Sequence, residues 1–596
     1  MTDVDLRHRW NLAEIFPSPE AWTEARTSFD GRLHEIERFP GTLGGGAATL
    51  RACLDRVFSL YRELRPIIGY AAMSSDDDTR DAAALERRQV AAVLGTALEE
   101  RISFLEPEIL ALGGSCIASY QAEDPLLAPY AHFLDNVLRR REHTLGQEAE
   151  KVLAGAGLMT ETPEELYSIL TTADIPWPTI RLADGSETVL DHAAYTRHRS
   201  SGTRSDRKLV FDTFWGTWQQ YERSLGVTLY SQLKCDLFRS RARGYRCCLA
   251  AALDESKVPE EVYLALIRSS TDNLPTLHRY LRLQARLCEI EDPQYHDVYC
   301  SLVERELSFP VDHGQDLLLD ALAPLGAAYA DAVREGFAHR WMDVYPRPGK
   351  RPGAYSHGSL YDLHPFVLMS YNDDYESVST LAHEWGHAIH SLLANTTQPF
   401  PTADYPIFIA EIASTFNEAL LLEHMLTTAR SDSERLFYLG SALDGLRATF
   451  FRQSMFAEFE LATHERVEQG EALSGQRFSE LYGELLRRYH GHDLGVMRID
   501  PAYWIEWAFV PHFYYGFYVY QYATSLAAAS LFAEQVLTGD DGARERYLDV
   551  LRAGGAGYPY ELLCQAGVDL ATARPYEALI ARMNRIMDQI EAITRP

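Results

Sequence analysis

The sequence predicts a mainly α-helical fold of enzyme size, and three observations carry that expectation. Apolar residues recur at three- and four-residue intervals through most of the chain. Strand signals are confined to a few short stretches. The length of 596 residues is far more than one small core needs, so one deeply cleft domain or several subdomains are expected. Apolar residues make up 46% and charged residues 24% of the chain, the balance of a folded globular protein and not of a disordered or fibrous one.

Successive amphipathic helices fill the first 170 residues or so, as in "ATLRACLDRVFSLYREL" and "DAAALERRQVAAVLGTALEERISFLEPEIL". Polar, Gly-containing "LADGSE" (182–187) marks a turn between short extended segments, and "RHRSSGTRSDR" (197–207) reads as an exposed connection. A boundary is therefore expected near residue 200, separating an N-terminal helical region, 1–200, from a second region, 201–596. Beyond it, a helix starts around Pro259, a residue compatible with a first turn, with Glu260 and Glu261 favouring the positive end of its dipole. The run "YPRPGKRPGAYSHG" (345–358) holds too much Pro and Gly for a helix, and "SLYDLHPFVLMSY" (359–371) suits a short strand or two. Helical periodicity then continues to the C-terminus, interrupted by "LTGDDGAR" and "RAGGAGYPY". No internal repeat or low-complexity tract is visible.

Charge and cysteine usage exclude several functions. A net charge of −29 disfavours nucleic acid, whose phosphates need concentrated Lys and Arg. Between Arg351 and Arg430 there is no Lys or Arg, yet nine Asp and Glu occur, a distribution that would favour a metal cation or the positive groups of a peptide if these acids share a cleft. The opening "MTDVDLRHRWNLAEIF" lacks the apolar core and cleavage site of a secretory signal. Eight cysteines are scattered without CxxC spacing, which suits a reducing cytoplasm. The most apolar long stretch, 504–536, is broken by Glu506, Pro511, His512 and Gly516, so no membrane span is expected.

The chemistry concentrates in "TLAHEWGHAIHS" (380–391). Val378, Leu381, Trp385, Ile389 and Leu392 recur at helical spacing, which puts His383 and His387 one turn apart on an amphipathic helix. Two imidazoles at i and i+4 can converge on one tetrahedral ion, and Glu384 is placed to act as general base toward a water that the ion activates. The competing reading is a plain helix with solvated histidines. His390 lies on the same face, but seven residues of rise set it about 10 Å from His383, so it cannot share that ion; support from behind the ligands, contact with substrate and simple packing all remain open for it.

A third ligand must come from elsewhere, because "HExxHxxGxxH" would need Gly where His390 stands and His where Leu393 stands, and the inverted HxxEH order is absent. The helix starting near Ile407, "IFIAEIASTFNEALLLEHML", is apolar almost all round except for a stripe of Glu411, Ser414, Thr415 and Glu418. Buried carboxylates need partners. Glu411 on zinc, with Glu418 accepting a hydrogen bond from a ligand histidine, would satisfy both; an exposed acidic stripe is the alternative.

These segments resemble the thimet-oligopeptidase family of zinc metallopeptidases, and specifically its oligoendopeptidase F branch. The likeness runs through "RWNLAEIF", "GAYSHG", "HPFVLMSYNDDYESVSTLAHE", "VPHFYYGFYVYQYATSL" and "YPYELLCQAGVDL", and so covers nearly the whole chain. It implies one zinc ion held by His383, His387 and Glu411, with Glu384 as base and proton shuttle. It also implies a large helical peptidase with a deep internal channel between two subdomains, walled in part by residues 1–200, and a small β-sheet near the active site. Short, unstructured oligopeptides would enter such a channel and folded proteins would not.

"PHFYYGFYVYQY" (511–522) holds five tyrosines and one histidine. By itself it reads most simply as aromatic packing, although phenols and an imidazole can also donate to an oxyanion. The resemblance favours the second role, with His512 as the clear match and Tyr515 and Tyr522 ahead of Tyr518 among the tyrosines. The expected activity is zinc-dependent hydrolysis of internal bonds in oligopeptides, with no nucleic acid or membrane partner. A zinc carboxypeptidase of similar helical fold, or a catalytically silent peptide-binding protein, would be the alternatives. The strand around "HPFVLMSY" is a candidate for pairing with an extended substrate.

Overall fold

Helices dominate the computed structural model, which describes residues 5–302 and 307–595. Five short strands form its two sheets among the described residues. The elements that position functional side chains are, in chain order, α1 (Ala47–Asp77), α2 (Glu222–Ala242), α3 (Tyr375–Thr397), α4 (Ile407–Thr428), α5 (Arg452–Glu468) and α6 (Gly475–Tyr489). The strands are β1 (Thr179–Arg181), β2 (Glu187–Val189), β3 (Met342–Asp343), β4 (Tyr355–His357) and β5 (Phe366–Leu368). The mainly α expectation therefore holds. The chain divides into two compact units, each assembled from three separated stretches: Met1–Gln147, Glu306–His424 and Phe532–Gly567 in the first, and Glu148–Arg305, Met425–Leu531 and Val568–Pro596 in the second.

In the first unit α1 is the spine. Leu50, Leu54, Val57, Leu60, Leu64, Ile67 and Ala71 fall at three- and four-residue spacing and are all buried, so this face packs into a core that includes Trp22, Phe29, Ile36, Leu94, Leu98 and Leu134. The indole N–H of Trp22 donates to the main-chain oxygen of Ile67 at 2.9 Å. Toward its C-terminal end α1 meets the small sheet: a Cβ on Gly69 would stand 2.8 Å from His357 Nε2 and 2.9 Å from Leu360 Cδ2. Nearby, the Tyr355 hydroxyl donates to Asp76 Oδ2 at 2.9 Å. A buried N-terminal helix thus fixes the position of β4.

That sheet has the order β3-β5-β4, with β5 parallel to β3 and antiparallel to β4. The segment "HPFVLMSY" contributes β5, the central strand, with both edges already paired and all three residues buried. It is therefore β4, from the Gly- and Pro-rich stretch before it, that forms the edge next to the functional helices. The sequence pointed to the more hydrophobic of the two strands, and hydrophobicity marks the buried centre of a sheet and not its edge.

The second unit begins with short helices and then forms the β1–β2 hairpin around residues 182–187, where Gly185 takes φ 87°. The helix expected near Pro259 spans Glu260–Asp272, with Pro259 as its N-cap and both glutamates in its first turn. An aromatic core gathers Tyr195, Phe214, Trp215, Trp218 and Phe509, with Tyr195 and Phe214 stacked at 4.0 Å. The apolar stretch 504–536 is not one element: it ends the 3-10 helix Pro501–Phe509, passes through a short turn at Pro511–Tyr514, and enters the helix Tyr520–Leu537. Among the described residues no single helix is long and apolar enough to cross a membrane.

Helix α2 reaches the N-terminal end of α6 at backbone contact. A Cβ on Gly226 would collide with the backbone of Gly475, and one on Gly475 with the main-chain oxygen of Glu222. Gly226→Ala is thus expected to push α2 and α6 apart at a cost of about 1–3 kcal/mol, read as a lower midpoint in thermal or urea unfolding.

Candidate functional site

Helix α3 starts where Asp374 caps it, accepting from the Ser377 N–H at 2.8 Å, while Ser377 Oγ accepts from the Asn372 N–H at 2.9 Å. Its buried face, with Val378, Leu381, Trp385 and Ile389 fully inaccessible, fixes its rotation and leaves His383, Glu384 and His387 lining a cavity of about 450 Å³. Helix α4 crosses it at Gly386, between the two histidines. A Cβ at that position would stand 2.5 Å from the Ala413 oxygen and 2.6 Å from Ser414 Cα, so only glycine allows this approach. The buried Asn417 side chain ties the crossing, its amide donating to the Ala382 oxygen at 3.2 Å and accepting from the Tyr329 hydroxyl at 3.3 Å.

The close crossing brings Glu411 to the histidines. Glu411 Oε2 lies 3.4 Å from His383 Nε2 and 3.6 Å from His387 Nε2, and the two imidazoles stand nearly perpendicular at 4.9 Å between centroids. One ligand atom from each of the three lies within 4.8 Å of the others, close enough to hold one metal ion. Two imidazole nitrogens and one carboxylate oxygen are a donor set suited to zinc, with a fourth position left for water or substrate. Ser414 Oγ donates to Glu411 Oε2 at 3.0 Å and steadies that carboxylate. From the far side, Glu418 Oε1 lies 2.5 Å from His383 Nδ1. With a proton held on Nδ1, an ion bound at this point would take the Nε2 lone pair in place of the Nε2–H contact with Glu411.

The electrostatics are those of tightly matched groups. Burial by itself would raise Glu411, but hydrogen bonds and charge from His383 and His387 outweigh it and hold the carboxyl well below the usual range. Burial would lower His383, and Glu411 and Glu418 reverse that and raise it well above an ordinary imidazole. Glu384 is 7% exposed; burial raises its carboxyl, with the two imidazoles opposing.

His390 takes a different place from its helical neighbours. It is fully buried, neither ring nitrogen has a hydrogen-bond partner among the described residues, and its ring stacks on Tyr405 at 3.5 Å. It makes no hydrogen bond to a candidate ligand. Its contact with the cavity passes through Tyr405, whose hydroxyl pairs with Ser391 Oγ at 2.7 Å; both residues line the cavity, as does Asn395. The sequence offered no spacing that would have picked out Tyr405, Ser391 or Asn395. Gly386 did carry a signal, since a glycine between the two histidines in the middle of a helix calls for a packing reason.

In the second unit the predicted aromatic residues also gather. His512 stacks at 5.8 Å on Tyr518 and lies edge-on at 6.0 Å to both Tyr515 and Tyr522. Tyr518 thus stands at the centre of the cluster together with His512, and Tyr515 is the exposed member. Burial lowers the His512 pKa and raises that of Tyr515.

Comparison with known proteins accounts for this combination of fold and site. The description of peptidase family M3 matches residues 197–582, and that of the oligopeptidase F N-terminal region matches 108–176. The chain belongs to peptidase family M3, in its oligoendopeptidase F branch. It is thereby a metallopeptidase. This M3 peptidase is 35% identical to oligopeptidase PepF of Bacillus subtilis over 99% of its own length and 88% of the relative's. To group B oligopeptidase PepB of Streptococcus agalactiae it is also 35% identical, over 96% and 94%. A crystal structure from Chlamydophila abortus shares the fold over 99% of both chains, with a TM-score of 0.90 and 32% identity. Oligoendopeptidase-F of Enterococcus faecium matches over 97% of this chain and 100% of its own, with a TM-score of 0.75 and 30% identity.

Glu418→Ala is expected to lower metal affinity by about 10–100-fold by freeing the His383 ring, with little change in thermal unfolding of the apo protein. Metal retained against a graded chelator, measured by mass spectrometry, checks it.

Proposed function

We propose that this M3 peptidase is a zinc-dependent endopeptidase that hydrolyses internal bonds of short, unstructured oligopeptides. The observation that carries the proposal is the convergence of His383 Nε2, His387 Nε2 and Glu411 Oε2 in one cavity that also holds Glu384 and is walled by an edge strand. Zinc bound by these three side chains would supply Lewis acidity to the scissile carbonyl and to the attacking water. Glu384, beside them in the same cavity and with its affinity for a proton raised by burial, takes the proton of the water as its oxygen bonds to the carbonyl carbon. As the C–N bond breaks, the same carboxyl delivers that proton to the leaving amine. No covalent enzyme intermediate is needed, and Glu384 ends as it began.

Substrate orientation follows from β4. Tyr355 and Ser356 line the cavity, and the outer edge of this strand has no strand partner among the described residues. An extended peptide pairing with that edge would gain main-chain hydrogen bonds without regard to side chains, which supports broad sequence preference and excludes segments already folded. The resemblance assigns His512 with Tyr515, Tyr518 or Tyr522 as donors to the developing oxyanion, and their gathering into one cluster supports treating them as a functional set.

Glu384→Gln is expected to retain zinc and lose about 10²–10⁴-fold in kcat on an internally quenched peptide blocked at both ends. Cleavage of that peptide by the unaltered enzyme separates endopeptidase from carboxypeptidase action, since an exopeptidase needs a free terminus. Full zinc content with no cleavage of blocked or free peptides would favour a binding role and overturn the proposal. Chelation should abolish turnover and added zinc restore it; restoration by another divalent ion alone would reassign the metal.

A further inference from the structure

Between the turn Pro511–Tyr514 and the helix Tyr520–Leu537, two successive residues take left-handed backbone conformations, Gly516 at φ 51° and Phe517 at φ 57°. Glycine adopts this region freely, whereas a phenylalanine is held there only where its surroundings insist on it. Those surroundings are specific. The Phe517 ring is buried against His464 at 4.4 Å and edge-on to Tyr263 at 5.6 Å. Its N–H donates to Glu460 Oε1 at 2.5 Å.

Glu460, on α5, is 2% exposed, and its Oε2 has no hydrogen-bond partner among the described residues. The polar groups around it come from every neighbouring element. His464, one turn further along α5, donates from Nδ1 to the Glu460 main-chain oxygen at 2.8 Å and stands with Nε2 3.2 Å from Asp236 Oδ2 on α2. Asp236 also accepts from Gln232 at 3.0 Å, and the Tyr263 hydroxyl is engaged by the Ala457 oxygen at 2.7 Å. His464, Asp236, Gln232 and Tyr263 thus spend their hydrogen bonds elsewhere, and the carboxyl of Glu460 is committed to the Phe517 amide. A buried carboxyl with one oxygen on a backbone N–H and the other unmet is costly for stability alone, and the metal-site chemistry makes no use of it.

We propose that Glu460 is a positioning residue for the aromatic loop: by accepting the Phe517 N–H it holds the left-handed Gly516–Phe517 turn, and through it the placement of His512, Tyr515 and Tyr518. The catalytic part of this inference rests on the oxyanion role proposed above; the structural part does not. Burial raises the Glu460 carboxyl to about 7, against the pull of His464 and the Phe517 N–H, and either protonation state still presents an acceptor oxygen to the amide.

The test uses the full-length, zinc-loaded protein with Glu460→Gln, which keeps a carbonyl acceptor, and Glu460→Leu, which fills the space without one. Hydrogen exchange of peptides covering 511–522 is compared with that of 222–242 and 452–468, alongside kcat, KM and zinc content. In Glu460→Leu, exchange should rise in 511–522 alone and kcat should fall about 10–100-fold with KM and zinc little changed, while Glu460→Gln restores both the loop's protection and kcat. Unchanged loop exchange in Glu460→Leu overturns the proposal, as does loosening spread evenly over α2 and α5, or a loop equally loose in Glu460→Gln. His512→Ala, measured in parallel, judges the oxyanion reading separately: full activity there with a loosened loop in Glu460→Leu would leave Glu460 as the loop's anchor and remove the loop from the chemistry.

Discussion

The arrangement of the candidate metal-binding side chains depends on one backbone contact, the crossing of α3 and α4 at Gly386. A glutamate side chain is short, and a ligand set tolerates displacements of only a few tenths of an ångström. Helices separated by ordinary side chains pack 8–10 Å apart. Removing the Cβ from α3 where α4 passes permits a closer approach, and the gain falls between the two histidines, where it serves both. Asn417, bonded to the Ala382 oxygen one residue before His383, fixes the register of the same crossing. Position and register of Glu411 therefore come from the backbone and from a buried amide, before any ion contributes.

The polar stripe on α4 has a consequence for charge. Apart from Glu411, Ser414, Asn417 and Glu418, most of the helix facing the core is hydrocarbon, with Phe408, Ile409, Ile412, Phe416 and Leu420 buried. Ser414 donates to Glu411 and Asn417 bonds across to the Ala382 oxygen and the Tyr329 hydroxyl, while the charged partners are histidines, His383 and His387 for Glu411 and His383 for Glu418. No Lys or Arg occurs in the surrounding 352–429 segment to neutralise them. The acids and imidazoles are thus a mutually dependent set, in which a dication can replace protons at no loss of contact.

What was legible in the sequence follows a physical divide. Helix content, the His383–His387 pair and the Glu411–Glu418 stripe could be read because each is a periodic pattern within one element, and the structure brings Glu411 close to both His383 and His387 and Glu418 close to His383. Residues that act across elements left weaker traces. His390 shares the face of His387 by periodicity, yet its ring turns into the packing against Tyr405, because a helical wheel gives direction and not depth. The pairing of β4 with β5 depended on which of two short strands lies outermost, and strand propensity does not encode that. The assembly of each unit from three distant stretches is set by long-range packing, to which a local window has no access.

The two sets of candidate groups are also held by different means, and the difference bears on how each can work. The metal-binding side chains sit on long helices whose rotation is fixed by buried faces, which suits ligands that must keep their geometry whether or not an ion is present. His512 sits on a 3-10 turn and Tyr515 and Tyr518 on a loop with two left-handed residues, one of them a phenylalanine, while Tyr522 follows in the helix Tyr520–Leu537. Such loop backbone is held by specific contacts and not by a continuous helical ladder: the Phe517 N–H bond to Glu460, the packing of the Phe517 ring, and the bond between the Tyr514 and Thr228 hydroxyls. Donors to an oxyanion are useful only if they are aimed before charge develops, because reorganisation during the reaction would add to the barrier. On the oxyanion role proposed above, clamping a short turn with a buried acceptor would serve that aim locally, and it leaves Tyr515 exposed.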